Sequence, residues 1–347
     1  MNDLNNLDKI KNLDPKNVLV STGLLLEQCS QILIDAKPLS FPNEYLDIKN
    51  IVFSGMGGSA LGAQIVYNLY KKQLSLPFYI NNDYNLPGFV DENTLVILSS
   101  YSGTTEETLS SAKDAIDKKC KITAITTGGD LAKLMEDKNF PYLKFEPKNN
   151  PSGQPRLGIG YSVFGTIILL SKLGVLGVNN NDLTKAIESI RQTRNKIEED
   201  AKLLSKSLQN TIPVIFASEF LIGNAHVLRN QFNETAKTFS TYSPLPELNH
   251  HLMEGLKNPP EKNLKILFLE SDLYSEKLKN RIQLTKDVVL KNNLSYESYK
   301  ALENSALSQV LEILLLGGYL TFYLAILYDQ DPSVIPWVDY FKKELAK

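Results

Sequence analysis

Two short turns carry residue types suited to holding a phosphate. Small residues dominate Gly55-Met56-Gly57-Gly58-Ser59-Ala60, and hydroxyls dominate Ser100-Tyr101-Ser102-Gly103-Thr104-Thr105. A helix that opens in a Gly-rich turn offers unpaired backbone N–H groups and a partial positive charge, so an anion can come close to the main chain. Gly57, Gly58 and Ser59 supply such a turn. Ser100, Ser102, Thr104 and Thr105 add hydroxyl donors, and Glu106 and Glu107 suit the first turn of the helix that follows. The clustering predicts a monophosphate site, with simple helix capping by Ser and Thr as the alternative for the second turn.

A second constellation lies far along the chain: Asn233-Glu234-x-x-Lys237, then Pro246-Glu247-Leu248-Asn249-His250-His251. A carboxylate can remove a proton α to a carbonyl and return it one carbon along, provided partial burial raises its pKa toward neutrality. Glu234 is the candidate for that base, with an i,i+3 surface pair to Lys237 as the competing reading. Opening a cyclic sugar calls for acid–base exchange at the ring oxygen, which suits His250; the alternative is a loop ring packed on Tyr242. His226, His250 and His251 fall in one region, yet no H-x-x-x-H spacing or carboxylate partner accompanies them, so no metal is expected. The pattern Gly55-x-Gly57-x-x-Ala60, with Asp83 after the next strand, also fits a relaxed dinucleotide fingerprint. That fingerprint does not predict the hydroxyl-rich second turn, so an NAD-dependent oxidoreductase is the weaker reading. No Walker-type loop and no G-x-S-x-G elbow is present.

Strands and helices must position these turns. Asn50 to Ser54, Pro77 to Ile80, Thr94 to Ser99 and Lys121 to Thr126 read as strands alternating with helical stretches, which implies a parallel sheet with helices on both faces. Asp182 to Asn210 reads as a connecting helix. The pattern then restarts, with strands expected at Ile212 to Ala217, Leu264 to Glu270 and Leu294 to Tyr299 and a helix from Asn224 onward. The expected fold class is α/β, with two lobes, 1–200 and 201–347, each a mostly parallel sheet between helices in three layers. The two small-residue turns should then lie side by side at strand C-terminal ends, where ligands bind in such sheets.

The 347 residues carry a net charge of −2, which gives no basic excess for nucleic acid. Cys29 and Cys120 form no disulfide framework. Residues 1–17 lack the apolar centre of a secretory signal, so a cytoplasmic location is expected. The apolar runs Tyr161 to Val178 and Val310 to Leu327 approach membrane-spanning length but are interrupted by Lys172, by Glu312 and by Gly317-Gly318, and are expected to be buried helices rather than spans.

The turns Gly55 to Ser59 and Ser100 to Thr108, with Pro155-Arg156, Asn233-Glu234, Pro246 to His250 and Leu316-Gly317-Gly318-Tyr319, give the chain a resemblance to the bifunctional phosphoglucose/phosphomannose isomerase family, built from two sugar-isomerase (SIS) domains. The resemblance implies no cofactor, phosphate contacts from Gly58, Ser59, Ser100, Ser102 and Thr105, and proton transfer by Glu234. It further implies enediolate stabilisation by Arg156, and ring opening assisted by His250 of a neighbouring subunit in a homodimer. It implies interconversion of glucose 6-phosphate, and of mannose 6-phosphate, with fructose 6-phosphate. A sugar-phosphate-sensing SIS regulator is the alternative; such a sensor needs the cradle but not Glu234 and His250. The chain departs from the family pattern at Thr104, where Asn is usual, and at Gly318, where Asp is common.

Overall fold

Continuous apolar runs make strands that are covered on both faces, and the first sheet follows that rule. In the computed structural model, which describes residues 4–345, it comprises β1 (Asn50–Gly55), β2 (Phe78–Asn81), β3 (Thr94–Ser100), β4 (Lys121–Thr126) and β5 (Leu143–Lys144). The order is β2-β1-β3-β4-β5 with every pairing parallel. All of β3 is buried. The second sheet contains β6 (Ile212–Ser218), β7 (Thr241–Leu245), β8 (Leu264–Ser271) and β9 (Ser295–Ala301), ordered β7-β6-β8-β9 and also parallel. Each sheet places its second strand outside its first, then its third and fourth on the other side, so the repeat lives in topology rather than in sequence.

Strand positions expected from the sequence agree with these to within a residue or two, with β2 displaced by one. Two strands were not expected, β5 and β7. The first is two residues long, and the second contains Pro244, which an edge strand tolerates because its missing N–H need not pair.

The helix Asn180–Leu208 joins the sheets, running through residue 200 to end just before β6. The apolar helices Ile159–Lys172 and Ala306–Leu327 are core elements. The second is long and apolar enough to cross a bilayer, yet its most apolar window is wholly buried inside the chain, against Asn180–Leu208 and Ile222–Glu234. Within it Gly318 abuts Thr22: a Cβ here would lie 2.6 Å from Thr22 Cγ2, so the Asp common in the family pattern has no room.

Candidate active site

The register pairs Gly55 with Ser99, which sets the turns leaving β1 and β3 next to each other. The Ser59 hydroxyl accepts a hydrogen bond from the Tyr101 N–H at 3.0 Å, stitching one turn to the other. The Ser100 hydroxyl is buried and works inward, contacting Thr105 Oγ1 at 2.8 Å and accepting from the Gly103 N–H at 3.0 Å. Ser102 and Thr104 are exposed and hydrogen-bond each other at 3.0 Å. No side-chain cap bonds the first turn of Gly58–Tyr70 or of Glu106–Asp117, so two adjacent helix N-termini face the same rim with their dipoles available to an anion. The two turns expected to lie side by side do so, with Ser100 shaping the second beneath the outer hydroxyls.

Arg156 connects the cradle to the second constellation. A Cβ on Gly58 would stand 3.0 Å from Arg156 Cα and 3.1 Å from its nitrogen, so the lack of a side chain at Gly58 lets the cradle helix meet the 3-10 turn Pro155–Leu157 directly. The Arg156 side chain is buried. It donates through Nη1 to Gln154 Oε1 at 2.9 Å and through Nη2 to the carbonyls of Pro332 and Ser333, each at 2.9 Å. Its Nε has no hydrogen-bond partner and lies 4.0 Å from Glu234 Oε2.

Glu234 closes the helix Ile222–Glu234. Burial pushes its carboxyl pKa up, against the pull of Arg156, Lys237, Lys342 and Arg229, so desolvation outweighs four surrounding cations. The carboxylate opens onto a cleft of about 760 Å³ lined also by Asn233, Lys237, Val334 and Trp337. A carboxyl pKa raised by partial burial is the direction of shift a general base needs. The surface pair with Lys237 is not formed: Lys237 Nζ instead donates to the carbonyls of Thr235 and Asp331.

The histidines divide by environment. His226, not His250, stacks on Tyr242, with ring centroids 5.2 Å apart and the hydroxyl 3.3 Å from Nδ1. Burial, reinforced by Arg229, lowers its pKa to about 4, so it is neutral at ordinary pH. His251 pairs with Glu247 at 2.7 Å on the surface. His250 ends the 3-10 turn Glu247–His250 with an exposed ring, and no hydrogen bond or ion pair ties it to Glu234 or the cradle within the chain. Among the described residues no group of three or more His, Cys, Asp or Glu is disposed to hold a metal.

A protein of Caldicellulosiruptor bescii named bifunctional phosphoglucose/phosphomannose isomerase is 32% identical to the chain over 337 residues, covering 93% of this chain and 97% of that one. The chain belongs to that family. It is accordingly an isomerase enzyme with the two-lobed SIS architecture. A relative of the same name from Aquifex aeolicus is 31% identical over 305 residues, 86% of this chain and 91% of its own. The family model of the bacterial phospho-glucose isomerase C-terminal SIS domain matches residues 197–345. Among solved structures, a hypothetical protein from Thermus thermophilus superposes with a TM-score of 0.70 at 14% identity, over 98% of this chain and 94% of that one, which speaks for the fold.

Residue-type reasoning did not find Lys237 as a ligand of backbone carbonyls, nor the segment Asp331-Pro332-Ser333 that accepts from it and from Arg156. Carbonyl acceptors have no sequence signature, since every residue carries one.

Proposed function

We propose that this isomerase interconverts glucose 6-phosphate, and mannose 6-phosphate, with fructose 6-phosphate by moving one proton between C1 and C2 through a cis-enediolate, without a metal. The phosphate sits at the rim formed by Gly58, Ser59, Ser102 and Thr105, with Ser100 holding the turn. Glu234 removes the C2 proton of the open-chain aldose while O1 gains a proton, and returns it to C1 as O2 loses one. Arg156 faces the oxygen on which negative charge develops, and its unpartnered Nε is the donor for it. Glucose and mannose differ only at C2, and both converge on the same enediolate once that carbon becomes planar.

The observation that carries this reading is the continuous link from Gly58 through Arg156 to a half-buried Glu234 whose carboxyl is raised toward neutrality. Ring opening is assigned to His250 supplied by a second copy of the chain, so that the active site lies at a homodimer interface. Its exposed, unengaged ring supports this, as does the apolar surface beside Glu234, where Phe239 is 69% and Trp337 81% exposed. The lobes 1–200 and 201–347 then contribute cradle and base respectively, and the enzyme works in the cytoplasm on small sugar phosphates.

The test is an enzyme-coupled assay with glucose, mannose and fructose 6-phosphates in the presence of EDTA, repeated on Glu234→Gln. Activity is expected to survive chelation and to fall at least about a hundredfold in the variant, the lower range for general acid–base catalysis. Activity abolished by EDTA, or a variant within tenfold of the wild type, refutes the reading.

A further inference from the structure

Lys237 follows the Glu234 helix in a left-handed backbone conformation, φ 51°. Among the described residues, most other non-glycine residues of positive φ are Asn or Asp, the types that tolerate it; a lysine there carries a conformational cost. Its Nζ donates at 3.1 Å to the Thr235 carbonyl and at 2.6 Å to the Asp331 carbonyl. The next two carbonyls of that distant segment, those of Pro332 and Ser333, are the acceptors that fix Arg156 Nη2. Three successive carbonyls therefore tie down two cations of the site. The segment is braced in turn by Asp331 Oδ1, which accepts from the Ser333 N–H at 2.7 Å and from its hydroxyl at 2.6 Å.

We propose that Lys237 is a positioning residue for the isomerisation: by clamping Asp331 it holds the segment that aims Arg156, and it places a cation beside the half-buried Glu234. The activity part of this inference rests on the function proposed above. Simple C-terminal capping of the Glu234 helix accounts for the bond to Thr235 but not for the bond to Asp331, across ninety-four positions of sequence. Charged groups on several neighbouring elements act on this pair. Glu234 is surrounded by Arg156, Lys237, Lys342 and Arg229, and Lys237 by Arg156, Asp331 and Glu234; Arg156 is further influenced by Asp339 of the C-terminal helix. Burial, helped by Arg156, lowers the Lys237 pKa to about 8. The positive charge is accordingly lost as pH rises through about 8, and the clamp weakens from charged to neutral hydrogen bonds.

Lys237→Met, Lys237→Gln and Lys237→Arg in the full chain provide the test, with two independent readouts. One is steady-state kinetics across pH. The other is the titration midpoint of the Glu234 carboxyl by carbon NMR of labelled glutamate, assigned by its disappearance in Glu234→Gln. Lys237→Met is expected to lower kcat by tenfold or more with KM changed less than threefold, and to move the Glu234 midpoint upward. Lys237→Arg is expected to restore most of the rate and to shift the alkaline limb of the pH profile to higher pH, since a guanidinium does not deprotonate in this range. Lys237→Gln, shorter and neutral, serves the same comparison should the Met variant fail to fold. A folded neutral variant with wild-type kcat and an unmoved midpoint overturns the inference. A wild-type chain inactive on all three sugar phosphates, whose midpoint nevertheless rises on neutralising Lys237, refutes the proposed function and leaves the electrostatic pairing of Lys237 with Glu234 standing.

Discussion

Replacing Arg156 by Lys keeps the charge and removes the geometry. The guanidinium donates to Gln154 Oε1 and to two backbone carbonyls, all at 2.9 Å, while turning Nε toward Glu234 at 4.0 Å. An ammonium on a flexible stem has three donors at one point and cannot span acceptors arranged around a planar fork. About two of the three hydrogen bonds are lost, each involving a charged donor and worth roughly 1.5–3 kcal/mol before water and relaxation recover part of it, so a destabilisation of about 2–3 kcal/mol is expected. In the proposed mechanism the enediolate loses a preorganised donor, which costs about 10²–10³ in rate; retained charge favours the lower end, near 2.7 kcal/mol. The coupled isomerase assay measures the second effect and thermal or urea unfolding the first. A lysine variant within about threefold of wild-type kcat/KM and with unchanged unfolding would show that neither the carbonyl contacts nor the fork geometry matters, and the reasoning would fail.

Two further outcomes are expected. Because burial raises the folded-state pKa of Glu234 above its unfolded value of about 4.5, the folded chain carries no penalty for this group below that pH and a growing one as pH rises through the raised value. Glu234→Gln should therefore unfold at a higher temperature than wild type at pH 8 and at the same temperature near pH 4; a variant less stable at pH 8 would mean that pairing with Arg156 outweighs desolvation. Mixing inactive Glu234→Gln chains with inactive His250→Ala chains under subunit exchange should recover about a quarter of wild-type activity, since about half the dimers are mixed and each contains one intact site. No recovery despite demonstrated exchange contradicts a ring donated across the interface.

Much of the fold could be read from residue pattern because buried parallel strands are short apolar runs ending in small-residue turns, as at Asn50–Gly55 and Thr94–Ser100. The strand Thr241–Leu245 escaped because its Ser, Tyr and Pro fit an edge position and not an apolar run. The side-by-side placement of the two small-residue turns was legible for a related reason: their hydroxyls and glycines are adjacent in sequence and follow strand ends. Arg156 gained its role only from the family resemblance. Its partners lie more than 170 positions away, for the Pro332 and Ser333 carbonyls, or follow from the approach of Gly58, and neither leaves a mark on the residues around it. Glu234 was recognisable as a carboxylate of the right kind, but taken alone its spacing favoured a surface pair with Lys237. Burial, and the competing carbonyls of Thr235 and Asp331, decide between them.

The central claim is that one carboxylate, Glu234, carries the proton between adjacent carbons. Incubating fructose 6-phosphate with the enzyme in deuterated water and following the C1 and C2 positions by NMR tests it most directly, because a base that exchanges with solvent leaves isotope in sugar phosphates. Wild-type protein is expected to introduce deuterium at those carbons, and Glu234→Gln to introduce almost none while remaining folded and still binding the sugar phosphate. Exchange at an undiminished rate in the glutamine variant would contradict the account.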